Sequence, residues 1–153
     1  MSNRLFYEDL LVGERFYSSG RTITEADVVN FAGLSGDYNA LHMDAEYAKT
    51  TQFGERIAHG LLGLVVASGL FTKTELNSRL HESLIALLGV DWKFTGPLYI
   101  GDTIHLEIEV ISKRNTKKPD RGIVVLLRKV INQHGEVVQK GEIPMLLKTK
   151  DAE

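Results

Sequence analysis

Residues Gly60 to Phe71, "GLLGLVVASGLF", limit the possible folds more than any other stretch of the chain. They carry no charge, and apolar side chains point to every side of the helix they would form. Such a helix has no face to offer water, so the rest of the chain must cover it. Its length of twelve residues falls short of the roughly 20 needed to cross a bilayer. It is therefore expected to be a central core helix.

The covering layer is read from the second half of the chain, where the pattern changes from about Leu84 onward. In "DTIHLEIEV", Ile104, Leu106, Ile108 and Val110 alternate with Thr103, His105, Glu107 and Glu109, the period of a half-buried antiparallel strand. "GIVVLLRKVI" and "EVVQKGEIPMLL" flank the turn "NQHG", and "KKPDRG" forms another turn. Ahead of the core helix, "TITEADVVNFAGLSG" places Thr24 as an N-cap with Asp27 three residues on, followed by Val28, Val29, Phe31 and Ala32 at helical spacing. Gly33 and Gly36 stop that helix. "MDAEYAKTT" predicts a short helix capped by Asp44. The expectation is α+β: three helices, then three or four antiparallel strands curved around the long one.

With 153 residues, 43% of them hydrophobic, the chain reads as one domain over 1–153, able to bury about two-thirds of its unfolded surface. Its 18 basic and 20 acidic residues leave a net charge of -2, which gives nucleic acid no general attraction. The absence of cysteine removes disulfides, thiolate nucleophiles and Cys-type zinc sites, and fits a reducing compartment. "MSNRLFYEDLLVGERF" lacks the apolar run of a secretory signal. The expected location is the cytoplasm, without membrane association.

The chemistry concentrates in "SGDYNALH", Ser35 to His42. Five positions apart, Asp37 and His42 would point about 140° apart on a helix and to opposite faces of a strand. Gly36, Asp37 and Asn39 favour a turn instead. A turn can fold His42 back toward Asp37 and put a proton acceptor and a proton donor within reach of one water, the minimum for acid–base chemistry at neutral pH. Residue by residue, plainer roles stand beside this one: Asp37 as an Asx-turn former, His42 as a packing residue. Asn39 fixes the loop or orients a carbonyl. His59 lines the site, or caps or packs the helix that follows it. His81, His105 and His134 are read as solvated. No His-x-x-x-His spacing or carboxylate cluster accompanies them, so no metal site is expected.

The stretch "FAGLSGDYNALHMDAEYAKTTQFGERIAHGLLGLVVASGLF" resembles the hydratase signature of the MaoC-like family, which includes the (R)-specific enoyl-CoA hydratases. "FTGPLYIGDTI" is similar to that family's strand start through Phe94, Pro97, Gly101 and Asp102, and "YEDLLVGERF" to its usual opening. The likeness runs from Tyr7 to about Val110. It implies the hot-dog fold, a long helix wrapped by an antiparallel sheet. It further implies that Asp37 and His42 hold one water and add it reversibly across a trans-2-enoyl thioester, giving the (R)-3-hydroxyacyl product.

Other roles follow from the same resemblance. The Gly60 N–H becomes the oxyanion donor, which suits a helix N-terminus; the alternative is a small residue that eases packing. Ser68 aligns with a serine near the catalytic groups, or is a helix serine bonded back to a carbonyl. No metal or redox cofactor is implied, coenzyme A entering as part of the substrate, with an acyl carrier protein thioester as the less favoured form. Arg56, Lys113, Arg114, Lys117, Lys118 and Arg121 are available to meet its phosphates. A homodimer or dimer of dimers is implied. The chain departs from the family at Ala40, where Pro is usual. An acyl-CoA thioesterase and a non-catalytic acyl-thioester binding module are the alternative functions.

Overall fold

Thr24 begins the first helix through a reciprocal cap. Its hydroxyl accepts the Asp27 N–H at 3.2 Å, and the Asp27 carboxylate accepts the Thr24 N–H at 2.9 Å. In the computed structural model, which describes residues 4–152, this helix is α1, Glu25–Ser35. A short helix α2, Ala40–Met43, precedes the expected α3, Ala45–Lys49, where the Asp44 carboxylate accepts from Glu46 N and Tyr47 N at 3.0 Å each. The apolar run forms α4, Gly60–Thr72, and α5 follows over Glu75–Leu80.

Seven strands are present among the described residues. The three long ones, β5 (Thr103–Asn115), β6 (Arg121–Ile131) and β7 (Val137–Lys148), carry the alternation seen in the sequence and pair antiparallel in that order. Four short strands border them: β1 (Arg15–Tyr17) and β2 (Arg21–Thr22) on β5, and β3 (Leu84–Leu87) and β4 (Asp91–Phe94) on β7. The expectation of three or four strands, all following the helices, is corrected here. Strands of two to four residues are too short to display a period of two, and their pairing depends on the long strands that they border.

The inward phases of the long strands meet α4. Ile104, Leu106, Ile108 and Val110 of β5, Val124, Leu126 and Val130 of β6, and Ile143, Met145 and Leu147 of β7 share one core with Leu62, Val66, Ala67, Leu70 and Phe71 of α4. Full burial of each large apolar side chain contributes about 1.5–3 kcal/mol, so this layer supplies the main drive for folding. The architecture is the hot-dog arrangement, with the sheet left open. The sheet does not enclose α4 on all sides. Leu61 is 58% and Val65 55% exposed, and Ser68 lies on the same exposed stripe, so a helix apolar all round has one face uncovered by its own chain.

Candidate active site

Short-range hydrogen bonds shape the loop between α1 and α2. Gly36, at φ +75°, ends α1 in the left-handed region and returns its N–H to Ala32 O at 2.8 Å. Ser35 Oγ donates to Phe31 O at 2.7 Å and accepts the Asp37 N–H at 3.1 Å. Asp37 Oδ1 accepts the Asn39 N–H at 3.2 Å, and Asn39 Oδ1 accepts the Leu41 N–H at 3.0 Å, capping α2. Asp37 therefore precedes a fresh helical turn that carries His42. A ligand atom from each of Asp37, His42 and His59 lies within 4.8 Å of the other two. Asp37 is exposed, His42 half-buried and His59 buried.

A second segment anchors the histidine. In the connection from β4 to β5, the Asp102 carboxylate accepts from Tyr99 N and from Gln133 Nε2, both at 2.8 Å. This fixes the segment so that Tyr99 bridges to Ile57 and Leu98 O accepts the Ala58 N–H at 2.7 Å. The Ile57 carbonyl lies 2.8 Å from His42 Nδ1. A carbonyl can only accept, so Nδ1 carries the hydrogen, and in the neutral ring the lone pair is on Nε2. Arg56 holds the same turn from outside, donating to His42 O at 3.3 Å and to Glu25 Oε2 at 2.6 Å.

The first turn of α4 borders the cluster. The Gly60 N–H donates no hydrogen bond among the described residues, as expected for the first amides of a helix. A Cβ on Gly60 would lie 2.9 Å from Phe94 Cδ1, so any other residue here would displace the exposed Phe94 ring. Buried Gln139 of β7 steadies the turn: its Nε2 donates to Gly60 O at 3.0 Å and its Oε1 accepts from Trp92 Nε1 at 3.0 Å. A cavity of about 530 Å³ opens here between Gly60, Leu61, Phe94, Pro97, Leu98 and Gln139.

The predicted site residues divide into two groups. Asp37, His42 and His59 come together, Asn39 builds their loop, and Gly60 follows His59 directly. Ser68 does not join them: it is exposed eight residues along α4, about 12 Å by helical rise, with no side-chain hydrogen bond among the described residues. Its back-bond to a carbonyl is not formed either. His59 makes no side-chain cap bond. His81 and His134 are exposed and His105 half-buried. Of the basic residues, Arg56 and Arg121 are ion-paired with Glu25 and Asp120, and Lys113 donates to Leu10 O at 2.6 Å.

Two histidines and an aspartate are donor types that a transition metal takes. The His42 and His59 rings are stacked, with centroids 3.9 Å apart and 31° between planes, and one nitrogen of each, His42 Nδ1 and His59 Nε2, is engaged by a backbone carbonyl. Ile57 and Gln139 escaped the sequence reading, and Arg56, read there as available to the phosphates, instead anchors the His42 turn. Ile57 acts through a carbonyl, which no side-chain pattern signals. Gln139 did leave a trace, as a polar residue in the inward phase shared with Gly141, Ile143 and Met145.

An antiparallel sheet cradling a helix, with a carboxylate and two histidines gathered at that helix's N-terminus, defines a hot-dog protein with a cluster of ionisable side chains at the start of its central helix. The MaoC-like domain family matches residues 10–130, and the chain belongs to it. The (R)-specific enoyl-CoA hydratase of Rhodospirillum rubrum is 34% identical over 142 residues, covering 93% of this chain and 91% of that protein. Protein MaoC of Klebsiella aerogenes is 38% identical over 119 residues, 77% of this chain, and the match takes in only 33% of its length. An X-ray structure described as a monoamine oxidase regulatory protein from Archaeoglobus fulgidus superposes with a TM-score of 0.90 at 36% identity, covering 96% of each chain. Among the described residues, no helix is long and apolar enough to cross a membrane.

Proposed function

We propose that this chain catalyses the reversible hydration of trans-2-enoyl-CoA to (R)-3-hydroxyacyl-CoA. The observation that carries the reading is the Asp37–His42 pair, held within a single water's span beside the N-terminus of α4. The named activity of the Rhodospirillum rubrum relative supports it. A water between the two groups loses one proton to the pair as its oxygen bonds to C3, and the pair delivers one proton to C2, so a single water adds across the double bond. His42 Nε2, free because Nδ1 is engaged by Ile57 O, suits the proton-accepting role. Charge gathers on the thioester oxygen during the step, and the unpaired Gly60 N–H stabilises it with help from the helix dipole. No metal or redox cofactor enters this scheme, and coenzyme A arrives with the substrate.

Two copies associate along the uncovered face. Exposed Leu61 and Val65 of α4, exposed Phe94 of β4, and exposed Leu87, Leu88 and Val90 before it form an apolar surface at a sheet edge, which self-association would bury. The cysteine-free composition suits a cytoplasmic setting.

Incubation of the purified protein with a series of trans-2-enoyl-CoAs tests the activity, through loss of conjugated absorbance and the chirality of the product. Asp37→Asn and His42→Ala are each expected to lower kcat by about 10²–10⁴-fold while Tm stays near that of the parent. Parental rates in both variants overturn the assignment. Release of free coenzyme A without hydration would establish the thioesterase instead.

A further inference from the structure

His59 is only 2% exposed and immediately precedes α4, yet it does not cap that helix. Its ring touches both members of the proposed pair. The Asp37 carbonyl lies 2.9 Å from His59 Nε2, so Nε2 carries the hydrogen and donates it. One face of the ring stacks on His42 at 3.9 Å, and Phe31 of α1 holds it again at 4.8 Å with a 54° tilt. The remaining nitrogen, Nδ1, is buried with no partner among the described residues.

This is an unfavourable place for an imidazole judged by packing alone. A buried polar atom left without a hydrogen bond costs about 1–3 kcal/mol, which an apolar side chain of similar volume would avoid. What the imidazole adds over such a side chain is the donor to Asp37 O. The loop that receives this bond carries Ala40, so no proline ring fixes φ at the start of α2. Asn39 closes the turn locally and Ile57 O holds His42. Among these tethers, His59 is the one that joins Asp37 to the His42 ring.

We propose that His59 is a positioning residue for the hydration reaction, holding the Asp37 backbone and the His42 ring in register and supplying the loop rigidity that residue 40 does not. This rests on the hydratase reading above. It acts through the two catalytic groups and takes no proton from the substrate.

The test uses the full chain with trans-2-butenoyl-CoA. His59→Phe keeps the ring volume and its stacking while removing the donor; His59→Gln places an amide N–H near the former Nε2. His59→Phe is expected to lower kcat by about 10–100-fold, the scale of a misplacement of about 1 Å, with KM changed less than about threefold. His59→Gln should recover most of that loss. Adding Ala40→Pro to His59→Phe should recover part of kcat, although Ala40→Pro alone leaves the parental kcat unchanged. A residue that merely fills space would give no such coupling.

Parental kcat in His59→Phe overturns the proposal. So does a rise in KM of about tenfold at constant kcat, which would make His59 a substrate contact, or a His59→Gln protein that folds but is as slow as His59→Phe. If His59→Phe does not fold, His59→Gln with and without Ala40→Pro decides: near-parental kcat supports the proposal, and a large loss that Ala40→Pro leaves untouched overturns it. Activity that survives Asp37→Asn and His42→Ala would refute the hydratase reading itself, an outcome separate from all of these.

Discussion

Replacing Ala40 with proline is expected to stabilise the fold without slowing the reaction. Residue 40 is the first helical position of α2, where the fixed φ of proline suits the helix and its missing N–H loses nothing. The Ala40 N–H donates no hydrogen bond among the described residues. The residue before a proline must have extended ψ, and Asn39 already has ψ 136°. The cap from Asn39 Oδ1 to Leu41 N lies one residue beyond and is retained. The gain arises in the unfolded chain, which loses the freedom of one residue, about 0.4–1 kcal/mol. For a domain of this size that is a rise in Tm of about 1–4 °C. Calorimetry at pH 7, run beside steady-state hydration of trans-2-butenoyl-CoA, reads both quantities. A lower Tm, or a kcat reduced by more than about threefold, would refute the reasoning that this turn is a fixed platform already compatible with proline.

Two further predictions concern charge. Arg128 lies in the inward phase of β6, stacked 3.7 Å from the Phe71 ring centroid, with Nε buried and unpartnered among the described residues. Burial pushes it down to about 10, a cost of order 3 kcal/mol for the charged form, offset by about 1–2 kcal/mol from the aromatic face. Arg128→Met is therefore expected to raise stability by about 1–3 kcal/mol in urea unfolding at pH 8. The unfolded chain holds this proton more tightly than the folded one, so parental stability rises as pH climbs through about 10 and the advantage of the variant shrinks there. An advantage that stays constant from pH 8 to 11 contradicts this. The hydrogen bond from Lys129, with burial opposing it and the Lys129 and Arg15 charges adding to it, holds Glu107 below the usual carboxylate range. Its contribution is complete above the unfolded value and is lost as pH falls through the folded one. Glu107→Gln should cost about 0.2–1 kcal/mol at neutral pH and nothing in strong acid, as followed by circular dichroism; a cost that persists in acid would assign the loss to packing.

The long elements were legible because each carries a repeated signal. Four alternations define β5, and Thr24 with Asp27 three residues on writes the start of α1. The short strands β1 to β4 were not legible, since they exist through hydrogen bonds to partners distant in sequence; Phe16 pairs with Ile108, and Phe94 with Gln139. In the site, Asp37 and His42 were legible as a pair because the turn residues around them exclude both regular spacings. Ser68 shows the opposite case: it lies on the α4 stripe that its own chain leaves open.

By itself, the sequence determined that an apolar helix must be covered, that alternating strands would cover it, and that a turn would bring a carboxylate toward an imidazole. These follow from local periodicity and turn chemistry, which act between near neighbours. The tertiary structure alone decided which nitrogen of His42 is free, through a carbonyl fifteen residues away, and that His59 joins the pair instead of capping a helix. It also decided that Gln139, 79 residues from Gly60, steadies the start of α4. The physical reason is the range of the interactions: a hydrogen bond between distant segments exists only after the sheet and helix have packed, and no local pattern of side chains encodes its partner.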